Sequence, residues 1–109
     1  MHSIALIILV LLFSPIRTAA EITDADAMEL GYRVSAIRDA LQNPAAPGAL
    51  QAITNLGHDQ RYYVMVRGWL MYQLRADMSL LESAQEQDLD LIRARVDFIQ
   101  QAIPAIDLE

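Results

Sequence analysis

The residues best suited to chemistry lie together in segment 58–63, which reads HDQRYY. A histidine that acts as a general base needs a partner carboxylate and a cleft. Asp59 directly follows His58, but side chains adjacent in sequence need not face each other. Two interpretations stay open: a small enzyme centred on His58, or a helix corner in which Asp59 caps a turn and His58 is solvated. We favour the corner, because one histidine is weak evidence for catalysis.

Three arginines, Arg61, Arg67 and Arg75, fall on one side of the third predicted helix. Guanidinium groups on one face can clamp a carboxylate or a phosphate through paired hydrogen bonds. The alternative is a face that is solvated or paired with acids of the same chain. The sequence contains 14 acidic and 8 basic residues, so internal pairing is readily available and is the favoured interpretation.

Val64, Met71 and Met78 recur at seven-residue intervals within this basic arc. Apolar residues on an otherwise polar face suggest a second contact surface. Such a surface would suit a partner helix, a second copy of the chain or a lipid-like ligand, since methionine adapts to varied shapes. Alternatively, the first helix packs obliquely over these three residues and covers them.

Several chemistries are excluded by composition. The chain has no cysteine and no lysine, which removes disulfides, thiolate metal sites, Schiff-base chemistry and the lysine of a phosphate-binding loop. The aspartate pairs at 24/26 and 88/90 diverge on a helix, so we expect no metal site. The net charge of −6 argues against nucleic-acid binding. We therefore expect a protein without a cofactor that is not an enzyme.

The first twenty residues differ from the rest. Residues 4–13 form an unbroken apolar run, which at about 15 Å of helix is half of a ~30 Å hydrocarbon core. Pro15 follows, and Thr18-Ala19-Ala20 fits a cleavage site before Glu21. The pattern predicts a signal peptide over 1–20 and a periplasmic or secreted protein, with no stable membrane insertion after cleavage.

Residues 21–109 predict a single all-α domain, a small four-helix bundle of up-down topology with short loops. The expected helices cover about 24–42, 49–56, 60–82 and 84–103. In the first and the last, apolar residues repeat at three- and four-residue spacing, which marks one buried stripe. These stripes are Ala27, Leu30, Val34, Ile37 and Leu41, and Leu89, Ile92, Val96, Ile99 and Ile103.

Capping residues predict the helix boundaries. Thr23 or Asp24 is a suitable first N-cap, and Gly57 is a suitable residue just past the second helix. Segment 83–86, SAQE, matches a capping box for the fourth helix, and Pro104 is expected to end it.

The third helix holds the single tryptophan and a wide apolar arc, so we expect it to contact the other three helices. The arc comprises Tyr62, Tyr63, Met65, Val66, Trp69, Leu70, Leu74, Leu80 and Leu81.

Together these patterns suggest a small exported helical protein that binds another protein, or a copy of itself, through the face of its third helix. One alternative is a carrier that holds a small apolar or lipid-like ligand within the bundle; another is the enzyme centred on His58. The mixed aromatic, methionine and arginine character of the third helix nominates five binding residues. They are Tyr62, Tyr63, Arg67, Met71 and Arg75.

Overall fold

The computed structural model describes residues 23–108. This part of the chain is all-helical, with four α-helices and no strand, which confirms the predicted fold class. The predicted signal peptide lies outside the described residues. The helices are α1 Asp24–Gln42, α2 Ala49–Gly57, α3 Tyr63–Leu81 and α4 Glu86–Asp107.

Five of the ten residues in the predicted stripes of α1 and α4 are buried in the core, and α2 adds two more large apolar side chains. Ile37 and Leu41 of α1, Ile53 and Leu56 of α2, and three residues of α4 are all buried; the last are Ile92, Val96 and Ile99. Ala27 at the N-terminal end of the α1 stripe is instead exposed. At that end Thr23 acts as predicted, since its hydroxyl accepts a hydrogen bond of 3.1 Å from the amide of Asp26.

The helices pack most extensively as α3 against α4, with α2 contacting both. Arg67 near the start of α3 pairs with Asp107 near the end of α4, and Asp77 pairs with Arg95, so these two helices run antiparallel. The expectation that α3 contacts all three other helices is correct for α2 and α4. In the described part of the chain, α1 makes no comparably extensive contact with α3.

The connection between α1 and α2 depends on one glycine. Gly48 has φ +81°, a left-handed conformation that L side chains rarely adopt, and it directly precedes α2. A second contact joins α1 to the end of α2. The Arg33 guanidinium of α1 donates a hydrogen bond of 2.6 Å to the carbonyl of Asn55 in α2.

Gly57 serves a different purpose from the one predicted. It belongs to the last turn of α2, and His58 is the C-cap. A β-carbon at Gly57 would lie 2.4 Å from Cγ2 and 3.0 Å from Cβ of Ile106. The glycine therefore lets the end of α2 approach the end of α4 more closely than any side chain would permit.

The predicted capping box before α4 is wrong. The N-cap is Gln85, in an extended conformation and without a side-chain cap. The amide of Ser83 instead donates to the carbonyl of Leu80, so Ser83 still belongs to the turn that closes α3. α4 therefore starts at Glu86, two residues later than predicted.

The prediction that Pro104 ends α4 is also wrong, since the helix continues through it to Asp107. Proline removes one backbone donor, but its fixed φ is compatible with a helix. The turn beyond it is held by tertiary contacts: Ile106 is buried, Asp107 binds α3, and His58 bonds to the carbonyl of Ala105. These contacts offset the lost backbone hydrogen bond.

The buried strip of α3 is narrower than the predicted arc. α3 begins at Tyr63 rather than Gln60, and its fully buried residues are Val66, Leu70 and Asp77. Met65 and Leu80, expected in the core, are 45% and 46% exposed.

Candidate binding surface

His58 occupies a structural position at the corner between α2 and α3. Its side chain is exposed, and Nε2 lies 2.8 Å from the carbonyl oxygen of Ala105. A carbonyl only accepts, so Nε2 carries the proton and donates. That carbonyl belongs to the last turn of α4, where backbone acceptors lack helical partners. The ring therefore caps α4 with one of the two nitrogens that a general base would use.

The carboxylate of Asp59 contacts two arginines, Arg61 and Arg33. The carboxylate accepts from the backbone amide of Arg61 at 3.0 Å and from its guanidinium at 2.9 Å, with Arg33 3.8 Å away. Hydrogen bonding from the Arg61 side chain, followed by its backbone amide, lowers the pKa of Asp59 below its ordinary value. The predicted capping role of Asp59 takes the form of this turn rather than of a cap on α3.

Tyr63 and Arg67 converge on one carboxylate. The Tyr63 hydroxyl donates to Asp107, and the Arg67 Nε lies 3.2 Å from both carboxylate oxygens. The hydrogen bond to Asp107, aided by burial and by the carboxylate charge, raises the pKa of Tyr63. The same carboxylate raises the pKa of Arg67. This cluster joins the start of α3 to the end of α4.

A buried ion pair joins the C-terminal part of α3 to the middle of α4. Asp77 is 0% exposed, and Arg95 donates to both of its oxygens at 2.7 Å. Gln73 adds a third hydrogen bond of 3.2 Å. The hydrogen bonds to Asp77 raise the pKa of Arg95. The signal was present in the sequence: Val66, Leu70, Gln73 and Asp77 follow helical spacing along one stripe.

The five predicted binding residues separate into two groups. Arg67, Met71 and Arg75 are spaced by four residues and lie along one side of α3. Tyr63 turns to Asp107 instead, and Tyr62, which precedes α3, stacks its ring 5.1 Å from the guanidinium carbon of Arg61. The two tyrosines therefore do not extend the line formed by the other three.

The line continues through the apolar residues that the sequence singled out. Val64 is 77% exposed and Met78 is 51% exposed, while Met71 between them is half-buried. Thus α1 does not cover Val64 or Met78. We call these residues the outer face of α3: Val64, Arg67, Met71, Arg75 and Met78.

A second apolar stripe borders the outer face. Met65, Trp69, Tyr72 and Ala76 follow a spacing of four, three and four residues. Tyr72 is 74% exposed, and Trp69 and Ala76 are half-buried. Met65 and Trp69 belong to the apolar arc predicted from the sequence, and Tyr72 does not. The spacing alone nevertheless groups Met65, Trp69, Tyr72 and Ala76 on one stripe.

Three surface grooves lie elsewhere on the described residues. One of about 340 Å³ lies between α1 and α2 and is lined largely by alanines, among them Ala36, Ala40 and Ala52. A second of about 250 Å³ adjoins His58 and Tyr63, and a third of about 490 Å³ lies beside the α3–α4 connection, next to Ser83 and Asp88. All three open to solvent.

No helix within residues 23–108 is both long and apolar enough to cross a bilayer. In the same range, no three His, Asp or Glu side chains come together as ligands for a metal ion.

No family model, characterised protein or solved structure shows significant similarity to the chain.

Proposed function

We propose that this is a small exported, non-enzymatic helical protein that binds another protein through the outer face of α3. The observation that carries the proposal is the exposure of Val64 and Met78 on either side of Met71, beside the exposed Arg75. Apolar and arginine side chains in one contiguous patch are typical of the cores of protein interfaces. A protein partner would bury this patch with a helix or a groove.

The polar residues that an enzyme would use support the non-enzymatic part of the proposal. Nε2 of His58 is engaged by a backbone carbonyl, and the neighbouring Asp59 is engaged by Arg61. His58 therefore has no carboxylate positioned to orient it as a general base within the described residues. Each of these groups already has a structural task.

Two finer parts of the proposal concern architecture and destination. The antiparallel pairing of α3 with α4 supports an up-down bundle. The apolar run over 4–13 and the small residues before Glu21 support removal of 1–20 on export to the periplasm or beyond. Loss of Arg17 with that segment leaves seven basic and fourteen acidic residues, a net charge of −7.

The experiment is affinity co-purification of the full chain, produced in its own cells, with and without Arg75→Glu. Arg75 is exposed and forms no ion pair with the described residues, so its reversal leaves the fold intact. Reversal of Arg67 is unsuitable, since it would set two carboxylates together at Asp107. Arg93→Glu is the matched control, because Arg93 is an arginine of α4 that is likewise exposed.

We expect Arg75→Glu to lose a partner that the unchanged chain and Arg93→Glu both retain, with unchanged circular dichroism. Retention of every partner by Arg75→Glu would overturn the assignment of the surface.

A further inference from the structure

Gly68 lies in the middle of α3 without any conformational need for glycine. Its backbone is helical, and a β-carbon there would meet nothing within 4 Å outside its own helical backbone and chain neighbours. Glycine in an exposed helix interior costs roughly 0.5–1 kcal/mol relative to alanine. Neither packing nor geometry within the described residues offsets that cost.

The four helical neighbours of Gly68 are all apolar. Residues three and four positions away on either side surround a helical position on the surface. At Gly68 these are Val64, Met65, Met71 and Tyr72. Val64, Met65 and Tyr72 are 77%, 45% and 74% exposed, respectively, and Met71 is half-buried. The result is a shallow depression with an apolar rim and no side chain at its centre, which we call the Gly68 socket.

This geometry is that of a hole that receives a knob. In knobs-into-holes packing, one side chain of a helix enters the space between four residues of its partner. Absence of a side chain at the centre lets the partner helix approach closely. A large aliphatic or aromatic side chain would contact all four rim residues at once.

The charges that α3 itself exposes beside the socket are of one sign. α3 contains Arg67, Arg75 and a single acid, Asp77, which is fully buried against Arg95. Arg67 is paired with Asp107 of α4, so Arg75 is the cation of this face that forms no ion pair with the described residues. A docked helix would meet complementary charge if its flanks were acidic.

We infer that the Gly68 socket receives a bulky apolar side chain from an acidic amphipathic helix of a partner protein. This inference rests on the proposed function and specifies the chemistry of the partner.

The test uses a library of 18-residue helical peptides, free of tryptophan, with a fixed leucine stripe. Each flanking position is randomly Glu, Gln or Lys, and binders are selected on the intact protein. Trp69, the sole tryptophan, reports binding by fluorescence from the stripe beside the socket. The Gly68 amide reports contact by NMR, and the chain has only four glycines to assign.

We expect selected peptides to be enriched in Glu over Lys and to shift the Gly68 amide. Arg75→Glu should weaken their binding roughly three- to tenfold. Gly68→Gln should abolish binding by filling the socket. Gly31→Gln is the matched control, because Gly31 is an exposed glycine of α1 that likewise has nothing within 4 Å of a β-carbon.

Equal recovery of Glu and Lys peptides, or binding that Gly68→Gln leaves intact, would overturn the inference. So would a concentration-dependent dimer, seen by sedimentation, that Gly68→Gln dissociates, because the occupant would then be a second copy. In any of these cases, continued loss of a cellular partner on Arg75→Glu would preserve the proposed function, whereas loss of that dependence would remove both.

Discussion

Asp77 is the residue on which the pairing of α3 with α4 depends most. It is fully buried, yet both of its oxygens are bonded by Arg95 and one by Gln73. No buried side-chain nitrogen or oxygen among the described residues lacks a partner. A buried ion pair adds little stability over an apolar pair of similar size, but it is costly to break on one side only. Its contribution is therefore to fix which residues of the two helices face each other.

Asp77→Ala should lower the free energy of unfolding by about 3 kcal/mol, because it leaves the Arg95 guanidinium without its partner in a largely buried site. Urea denaturation followed by circular dichroism measures the change. Asp97→Ala, an exposed aspartate on α4, is the control and should stay within about 0.5 kcal/mol of the unchanged chain. A small effect at Asp77 would show that the pair does not form.

The Tyr63–Asp107 hydrogen bond should make stability depend on pH in alkaline solution. The pKa of Tyr63 is raised above its ordinary value of 10.0 because the protonated hydroxyl donates to Asp107. The stabilisation is therefore complete below about pH 10 and is lost as pH rises through the folded-state pKa. Tyr63→Phe should remove this loss.

Denaturation at pH 8 and at pH 11 measures this loss of stability. Tyr72→Phe, at an exposed position, is the control. An equal pH dependence of the unchanged chain and Tyr63→Phe would contradict the assignment.

At the residue scale, the sequence places Arg67, Met71 and Arg75 on one side of the third helix, and in the structure they share one side of α3. The contact between Tyr63 and Asp107 could not be predicted, since it joins residues 44 positions apart on two different helices. The burial of Asp77 could have been predicted, because helical spacing places Asp77 on one stripe with the apolar residues Val66 and Leu70.

At the scale of the helices, periodicity predicted far more than capping rules did. The buried residues Ile92, Val96 and Ile99 of α4 and Ile37 and Leu41 of α1 follow directly from three- and four-residue spacing. The continuation of α4 past Pro104 was mispredicted, because tertiary contacts of the last turn outweigh a local stop signal. The start of α4 was mispredicted because Ser83 completes the turn that closes α3 and does not serve as the N-cap. Gly57 is a similar case. Its close approach to Ile106 is a tertiary contact, which the local sequence pattern does not reveal.

Two glycine-to-alanine changes should move stability in opposite directions. Gly57→Ala places a β-carbon against Cβ and Cγ2 of Ile106, which should cost roughly 1–3 kcal/mol. Gly68→Ala enters open space and should stabilise the helix by roughly 0.5–1 kcal/mol.

Thermal and urea denaturation of both variants provide the comparison. A double variant with Gly57→Ala and Ile106→Ala tests whether the clash with Ile106 causes the loss of stability. Because the second change relieves the clash, the double variant should be more stable than the sum of the two single effects. Two variants of equal stability would contradict the packing described here.

At the scale of the whole molecule, the proposed function rests on the distribution of charge and on the proposed export. The chain is acidic, yet the outer face of α3 carries Arg75, which is exposed and forms no ion pair with the described residues, beside the Arg67–Asp107 pair. Such an asymmetry orients an encounter with an acidic partner.

The proposed export predicts which residue begins the native protein. Mass spectrometry of the protein purified from its own cells should find Glu21 as the first residue, because the apolar run is followed by small residues typical of a cleavage site. A chain that retains residues 1–20 would contradict export by cleavage.

The most direct test of the central claim is site-specific photo-crosslinking in living cells. A benzophenone amino acid replaces Met78 on the outer face of α3, or Leu91 on α4; both side chains are 51% exposed, so they are matched in accessibility. The account predicts a discrete adduct with another protein from position 78 that Arg75→Glu eliminates, and none from position 91. Adducts of equal yield from both positions, or no adduct from position 78, would contradict it.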